Sequence, residues 1–334
     1  MSSYTKPPTE PSSNKNVDLT LAHYQPVDGH TLANTLRVRP GTLWYFTRFA
    51  YTQYTRQFVK KKSGGTRTLH VPSDGLAWLQ RRILHTYLNR IDYPEHVSAY
   101  VCGRSIRDAA EKHSGRPLLL VMDIKDFFPT TRRSWVRNAL KHTLQVPTEV
   151  AEILATLTTA PTVPGVNKQF IVPQGAPTSG AVANLVAMQR LDPPIIKICT
   201  RYKLTYTRYA DDMAFSSETP LKAHDVSSAI SELIHAVHCT GYRINHKKTR
   251  VQRKHRRQHL LGMTINQHPN YPKSQYRTLR ALVHNCATHG YAATATKYGY
   301  ESPEALVSYL TGLLNYVEGL APTRTAALRA QLPD

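Results

Sequence analysis

A chain of 334 residues is long enough for one large domain with subdomains or two ordinary ones, and excludes a peptide or a disulfide-stapled mini-protein. Its 43 Lys and Arg against 22 Asp and Glu give a net charge of +21, yet charged residues make up only 19% of the chain, so the imbalance comes mainly from missing acids. Apolar runs such as Leu118 to Met122 fall far short of the roughly 18 to 20 residues that span a bilayer, and the N-terminus lacks an apolar signal core, so a soluble, cytoplasmic protein is expected.

The missing acids are not spread evenly. None occurs between Asp28 and Asp74, where eight Lys and Arg stand, and none between Glu232 and Glu301, where there are twelve. Two basic arms therefore flank a middle that holds most of the carboxylates, a distribution that suits flanks touching a polyanion. A solvated face also carries charge runs, but acid-free stretches of this length favour nucleic acid. Cys102, Cys199, Cys239 and Cys286 are scattered singly and predict reduced, structural thiols.

Residues 1 to about 16 read as a flexible tail, being Ser, Pro, Thr, Lys and Asn with little to bury. Helical spacing begins near His30, and Pro40 suits the first turn of a second helix. Tyr51 to Lys62 and Thr66 to Val71 predict paired strands about a Ser63-Gly64-Gly65 turn, and Ser73 can cap a helix to about Asn89. Pro117 to Ile124 is too short and too apolar for a surface helix and predicts a buried strand. Helices are expected at 131–143, 148–158 and 178–191, the last stopped by Pro193-Pro194. Leu204 to Tyr209 and Met213 to Ser217 predict strands meeting at Ala210-Asp211-Asp212. A helix near 222–238, short strands near 242–245 and 259–265, and helices near 274–289, 303–318 and 323–331 complete an α+β pattern without internal repeats.

Asp123 ends the apolar strand, and Asp211 and Asp212 occupy the later turn. Carboxylates flanked by sequence that demands burial cost several kcal/mol each unless something positive compensates them. A divalent cation with hard oxygen ligands does so, and three Asp on adjoining strands could hold the two Mg²⁺ of an in-line phosphoryl transfer. Asp-Asp is also ordinary turn chemistry when it stands alone.

It does not stand alone. Tyr209-Ala210-Asp211-Asp212 resembles the Y-x-D-D box of reverse transcriptases, and further boxes of that family occur in order around it. Val121-Met-Asp-Ile-Lys-Asp-Phe-Phe-Pro129 is similar to the first palm motif, Pro173-Gln174-Gly175-Ala-Pro-Thr-Ser179 to the Q-G-x-P-x-S segment, Gly241-Tyr-Arg-Ile-Asn-His-Lys-Lys-Thr249 to the G-x-x-x-N-x-x-K-T box, and Leu261-Gly262 to the primer grip. Within that family the chain most resembles bacterial retron enzymes. Ala109-Ala110-Glu111-Lys112-His113 keeps the second Ala and the His of their N-A-x-x-H signature, Leu260-Leu261-Gly262 keeps the Gly of V-T-G, and the Thr264-Ile-Asn266 continuation, the length and the lack of a visible maturase or endonuclease segment suit the same group.

The resemblance implies a right-hand polymerase: a tail over 1–27, fingers over 28–115, a palm over 116–265 with a fingers insertion near 145–173, and a thumb over 266–334. It implies Asp123, Asp211 and Asp212 as ligands of two Mg²⁺, Phe128 as the ring beneath the incoming sugar that excludes a 2′-hydroxyl, and Gln174 with Gly175 beside the nucleotide. The basic hairpin with Lys62 and Arg67 is suited to closing on a triphosphate, or is an exposed hairpin with no such duty. Lys248 is a candidate proton donor to departing pyrophosphate, and spacing alone does not separate it from Lys247. His113 at a helix end, Lys247, Arg250, Arg253, Lys254, Arg256 and Arg257 are candidate contacts to RNA or DNA; a helix-end His is equally an ordinary feature. The implied partners are deoxynucleotides, a structured non-coding RNA that is template and primer, its branched RNA–DNA product, and a separately encoded effector in defence against phage. A group II intron-like or other defence enzyme is the nearest alternative, and a non-catalytic RNA-binding scaffold is an alternative of another class.

Overall fold

The computed structural model describes residues 26–60 and 64–333, and over these the chain is α+β. Nearly all of the expected tail, and Lys62, lie outside them. Helix α1 (Gly29–Thr35) opens on a capping box in which the Thr31 N–H donates to Asp28 Oδ1 at 2.8 Å and the Asp28 N–H donates to Thr31 Oγ1 at 3.0 Å. Helix α2 (Pro40–Phe49) begins on its proline, as predicted. Strands β1 (Tyr54–Lys60) and β2 (Thr66–Pro72) pair antiparallel, Lys60 opposite Thr66, and the far end of the hairpin is exposed. Ser73 caps α3 (Asp74–Thr86), which stops short of Asn89 because a 3-10 turn (Leu88–Arg90) takes over. Helix α4 (Ile106–Glu111) then leads to His113.

Next come β3 (Leu118–Asp123), α5 (Phe127–Thr130), α6 (Arg133–Leu144), α7 (Thr148–Thr158), the short pair β4 (Ala160–Pro161) and β5 (Phe170–Ile171), and α8 (Ser179–Arg190). Pro193-Pro194 does not merely stop that helix. The two prolines sit in the first turn of a new one, α9 (Asp192–Tyr202), where their missing N–H groups would have no helical partner anyway. Strands β6 (Leu204–Tyr209) and β7 (Asp212–Ser217) and helix α10 (Ala223–Cys239) follow as expected.

A strand near 242–245 is replaced by a single bridge between Ile124 and Ile244, and the basic run supplies a strand instead, β8 (Arg250–Arg253). The expected 259–265 strand folds back on itself as β9 (His259–Leu260) and β10 (Met263–Thr264). Helix α11 (Lys273–Tyr298) runs past 289 with a break at Gly290, whose φ of 75° and ψ of 169° are not helical. Helices α12 (Pro303–Glu318) and α13 (Pro322–Arg329) complete the chain.

One antiparallel sheet, ordered β6-β7-β3-β8, organises the centre. Both faces of β3 are covered, which is why its sequence shows no alternation. Leu120 and Met122 join Tyr206, Met213 and Phe215 in the main core under the helices, whereas Leu119 and Val121 pack with Ala110, Ala214, Leu260 and Met263 behind the sheet. The last three helices carry their own core around Leu282, Leu310 and Leu314. All four cysteines are free thiols, and among the described residues no helix is long and apolar enough to cross a membrane.

Candidate active site

Three carboxylates meet at one end of the sheet through backbone pairing. Asp123 ends β3 directly opposite Asp212, the first residue of β7, and Asp211 precedes it in the turn from β6. That reversal places Ala210 at φ 57°, a left-handed conformation that costs a non-glycine residue roughly 1–2 kcal/mol. The Ile124 N–H donates to the Asp211 carbonyl at 2.9 Å and the Asn245 N–H to the Asp123 carbonyl at 2.8 Å, so the chain on both sides is clamped to the carboxylate end.

The electrostatics leave this end short of positive charge. Asp123 is almost wholly buried and receives one cation, Lys248, whose Nζ lies 2.6 Å from Oδ2 and whose own pKa that hydrogen bond raises. Burial, then the charge of Asp123, raises the pKa of Asp211; burial, then Asp211 and Asp123, pushes Asp212 up to about 6. Among the described residues no three His, Cys, Asp or Glu side chains are drawn together as a finished metal cage. The donor chemistry nevertheless fits a hard divalent cation, since three mutually repelling carboxylates have one ammonium in direct contact, Lys248 on Asp123, and Arg67 and Arg250 act on them without a salt bridge. Lys247, next along the 3-10 turn His246–Lys248, is exposed with no such contact described, so geometry separates the two lysines.

Opposite this end the hairpin and the glycine segment form a pocket. A cavity of about 380 Å³ is lined by Arg56, Arg67, His70, Asp126 and Gln174. The His70 N–H donates to the Gln174 carbonyl at 2.8 Å, joining β2 to the Gln174-Gly175 segment. Gly175 has φ 111°, and a Cβ there would stand 3.5 Å from the His70 carbonyl oxygen. Arg67 is exposed, and its charge acts on Asp211. Phe127 is the core aromatic, stacked at a tilt on Tyr242, and leaves the half-buried Phe128 ring edge-on to Phe127 and Tyr100, with centroids 5.4 and 6.3 Å away.

The basic run divides in two. Arg250 and Arg253 belong to edge strand β8, opposite Val121 and Leu118, while Lys254, Arg256 and Arg257 are exposed on the turn that follows. Asn266 Nδ2 donates to the carbonyls of Lys254 and Arg256 and shapes that turn. Leu261 and Gly262 form the tip between β9 and β10, both at positive φ, and a Cβ on Gly262 would lie 3.4 Å from the Tyr316 hydroxyl of α12.

His113 is not available to RNA. It has no exposed surface and is bonded through Nδ1 to Ser216 Oγ at 2.7 Å and through Nε2 to Thr207 Oγ1 at 2.8 Å, which ties α4 to β7 and β6. Burial, then Arg116 and Lys112, lowers its pKa to about 3, so the ring is neutral at physiological pH. Of the two sequence readings, a contact to RNA and an ordinary helix-end histidine, the burial of the ring excludes the first, and His113 serves instead as a neutral hydrogen-bond bridge.

Two constellations were missed. Tyr100, at φ 55°, places its ring so close to α8 that a Cβ on Gly180 would come within 2.3 Å of it, and its pKa is raised by burial and then by Asp211. No sequence signal marks this residue. Arg208 is fully buried, bonded to Asp192 and to Asn184 Oδ1 at 2.8 Å, and its Nη1 reaches the Ala210 carbonyl at 3.4 Å. Here a signal existed: a lone arginine within a strand whose neighbours demand burial.

Comparison with known proteins shows the family. Residues 59–265 match the reverse transcriptase (RNA-dependent DNA polymerase) family. The chain is 34% identical over 311 residues to the retron Mx65 reverse transcriptase of Myxococcus xanthus, covering 89% of this chain and 69% of that protein. It is 28% identical over 310 residues to the retron Mx162 reverse transcriptase of the same organism, covering 85% and 61%, and 28% identical over 262 residues to the retron Ec86 reverse transcriptase of Escherichia coli, covering 77% of each. The chain belongs to the bacterial retron reverse transcriptases and is an RNA-directed DNA polymerase.

Proposed function

We propose that this enzyme copies a structured non-coding RNA, which is both template and primer, into branched, RNA-linked single-stranded DNA starting from an internal guanosine 2′-hydroxyl. The observation that carries the reading is the placement of Asp123 opposite Asp212, with Asp211 in the adjoining turn and Lys248 2.6 Å from Asp123. The names of the three relatives described above, each a retron reverse transcriptase, support the choice of RNA.

In this reading residues 28–115 are fingers, 116–265 palm and 266–334 thumb. Asp123, Asp211 and Asp212 hold two Mg²⁺, whose chemistry when bound is to activate the attacking hydroxyl and to stabilise the charge on the leaving pyrophosphate. Arg67 and Gln174 hold the nucleotide in the cavity they line, with the adjoining Gly175 backbone and Lys62 as further contacts. The Phe128 ring, braced by Phe127 and Tyr100, crowds the sugar's 2′ position. Lys248, held beside Asp123 with a raised pKa, is protonated at physiological pH and is the proton donor to pyrophosphate in preference to Lys247. The turn of Lys254, Arg256 and Arg257 contacts backbone phosphates, and Leu261 and Gly262 hold the primer. The enzyme works in the bacterial cytoplasm with an effector encoded separately, in defence against phage.

Expression with the DNA upstream of its gene tests the proposal. A short single-stranded DNA joined to RNA and shortened by a debranching enzyme is expected. Only unbranched cDNA from an annealed primer would assign the enzyme a different priming chemistry.

A further inference from the structure

A second cavity, larger than the one that brings Arg67 and Gln174 together, adjoins it. It encloses about 800 Å³ between the start of α6, the β4–β5 connection and the chain around Arg243. Its walls carry Lys125, Arg132, Arg133, Lys168 and Arg243 against one acid, Asp126. Arg133 is engaged, with Nε 3.4 Å from Glu152 and its guanidinium over the Phe170 ring at 4.5 Å. Among the described residues Lys125, Arg132, Lys168 and Arg243 have no acidic side chain within 4.0 Å. Four unneutralised cations on separate walls of one concavity raise the local concentration of anions.

Two connections relate this cavity to the catalytic end. It shares Asp126, Pro129 and Ile171 with the smaller pocket of Arg67 and Gln174, so the two concavities meet along one wall. The Lys125 N–H donates to the Arg243 carbonyl at 2.8 Å, and these residues lie two positions from Asp123 and Asn245, which are themselves bonded. Two residues of chain span at most about 7 Å. The cavity therefore adjoins the carboxylate end, with Lys125 and Arg243 on the side nearest to it.

We propose that this cavity is a second anion site, taking inorganic pyrophosphate and the triphosphate tail of a nucleotide, through which the triphosphate approaches the smaller pocket and pyrophosphate departs. The proposal rests on the polymerase reading of the smaller pocket. A compact polyphosphate suits the lining better than an RNA strand. The cations converge on one volume and do not form a track, Thr130, Ser134 and Asn167 add short hydrogen-bonding groups, and the one aromatic wall, Phe170, is covered by Arg133 and offers no face for a base.

The test has a binding arm that needs no synthesis. In the full chain carrying Asp211→Asn and Asp212→Asn, with EDTA present, millimolar inorganic pyrophosphate should raise the thermal midpoint by roughly 2–4 °C. Adding Arg132→Gln with Arg243→Gln, both exposed residues, should abolish the rise without lowering the midpoint measured in its absence, and Lys168→Gln alone should reduce it. In the otherwise native enzyme the same changes should raise the nucleotide KM and the inhibitory pyrophosphate concentration by roughly three- to tenfold while kcat at saturation holds. No midpoint rise in the parent, or a rise that survives the double substitution, overturns the site. Loss of RNA affinity with the pyrophosphate effect intact also overturns it and makes the cavity an RNA contact. Failure to find branched DNA would refute the proposed priming reaction and leave the binding arm standing.

Discussion

Arg208 and Asp192 form a two-pronged buried ion pair, Nε to Oδ1 and Nη2 to Oδ2 both at 2.9 Å, with neither side chain more than 1% exposed. Tyr206 donates to the same carboxylate at 2.9 Å, and His96 Nε2 lies 3.1 Å from it. Burial alone would raise the Asp192 pKa, and Arg208 with His96 more than offsets it, so the carboxylate stays ionised. The pair joins the start of α9 to the strand that leads into the Asp211-Asp212 turn. Arg208→Met should destabilise the protein by about 3–5 kcal/mol, because it strands a buried charge, and Arg208→Met with Asp192→Leu should recover most of that loss. Denaturant unfolding of both variants provides the check, and a double variant no more stable than the single would show that the hydrogen bonds, not the stranded charge, matter.

Neutralising the turn should have the opposite balance. Asp211→Asn with Asp212→Asn is expected to lower DNA synthesis by roughly a thousandfold or more, by removing the charge with which these residues are proposed to hold metal. Because burial and mutual repulsion raise both pKa values in the native protein, the same change should leave the thermal midpoint unchanged or higher. Extension activity near native in the purified double variant would remove these residues from the chemistry.

Phe128→Ala should admit ribonucleotides, since Phe127 already fills the core beneath it and Phe128 is half-buried. Competition between a ribonucleotide and its deoxy counterpart is the measurement. Unchanged discrimination would leave the ring only its packing against Tyr100 and Phe127.

His113 makes stability depend on pH. Its folded pKa of about 3 lies below the ordinary value of 6.5, so between those values the unfolded chain binds a proton that the folded one does not. Its contribution is complete above about pH 6.5 and lost progressively as the pH falls toward 3. His113→Gln should flatten that part of the profile, and should lower branched and conventionally primed synthesis equally, as a bridge behind the sheet requires. A selective loss of one activity would return the residue to RNA recognition.

Lys254→Gln, Arg256→Gln and Arg257→Gln together should weaken RNA binding and reduce its salt slope by roughly 0.7–0.9 for each phosphate that is no longer neutralised. Titration of affinity against salt measures this directly; an unaltered slope would make the turn a merely solvated surface.

The sequence was most legible where chemistry and backbone coincide. Asp123, Asp211 and Asp212 could be placed on adjoining strands because strand, turn and carboxylate occupy the same short segments. The basic run was legible as charge but not as β8, because an edge strand with exposed Arg250 and Val251 has no apolar face to announce it. Pro193-Pro194 was read as a stop because proline ends one helix and starts another with the same local preference. His113 stayed open between two readings because its partners, Thr207 and Ser216, are about a hundred residues away in the chain, and nothing local distinguishes a helix-end histidine facing water from one facing a sheet.

The two-sided burial of β3 determines where the chain can tolerate a change in length. An extra residue between Leu118 and Asp123 would exchange the sets of side chains facing the two cores and carry Asp123 out of line with Asp212, so packing and chemistry would be lost in one step. The connection between β4 and β5, largely exposed over 163–169, imposes no such alternation. Added peptide sequence therefore belongs there, and a tag or reporter inserted in that connection should leave the carboxylate register intact.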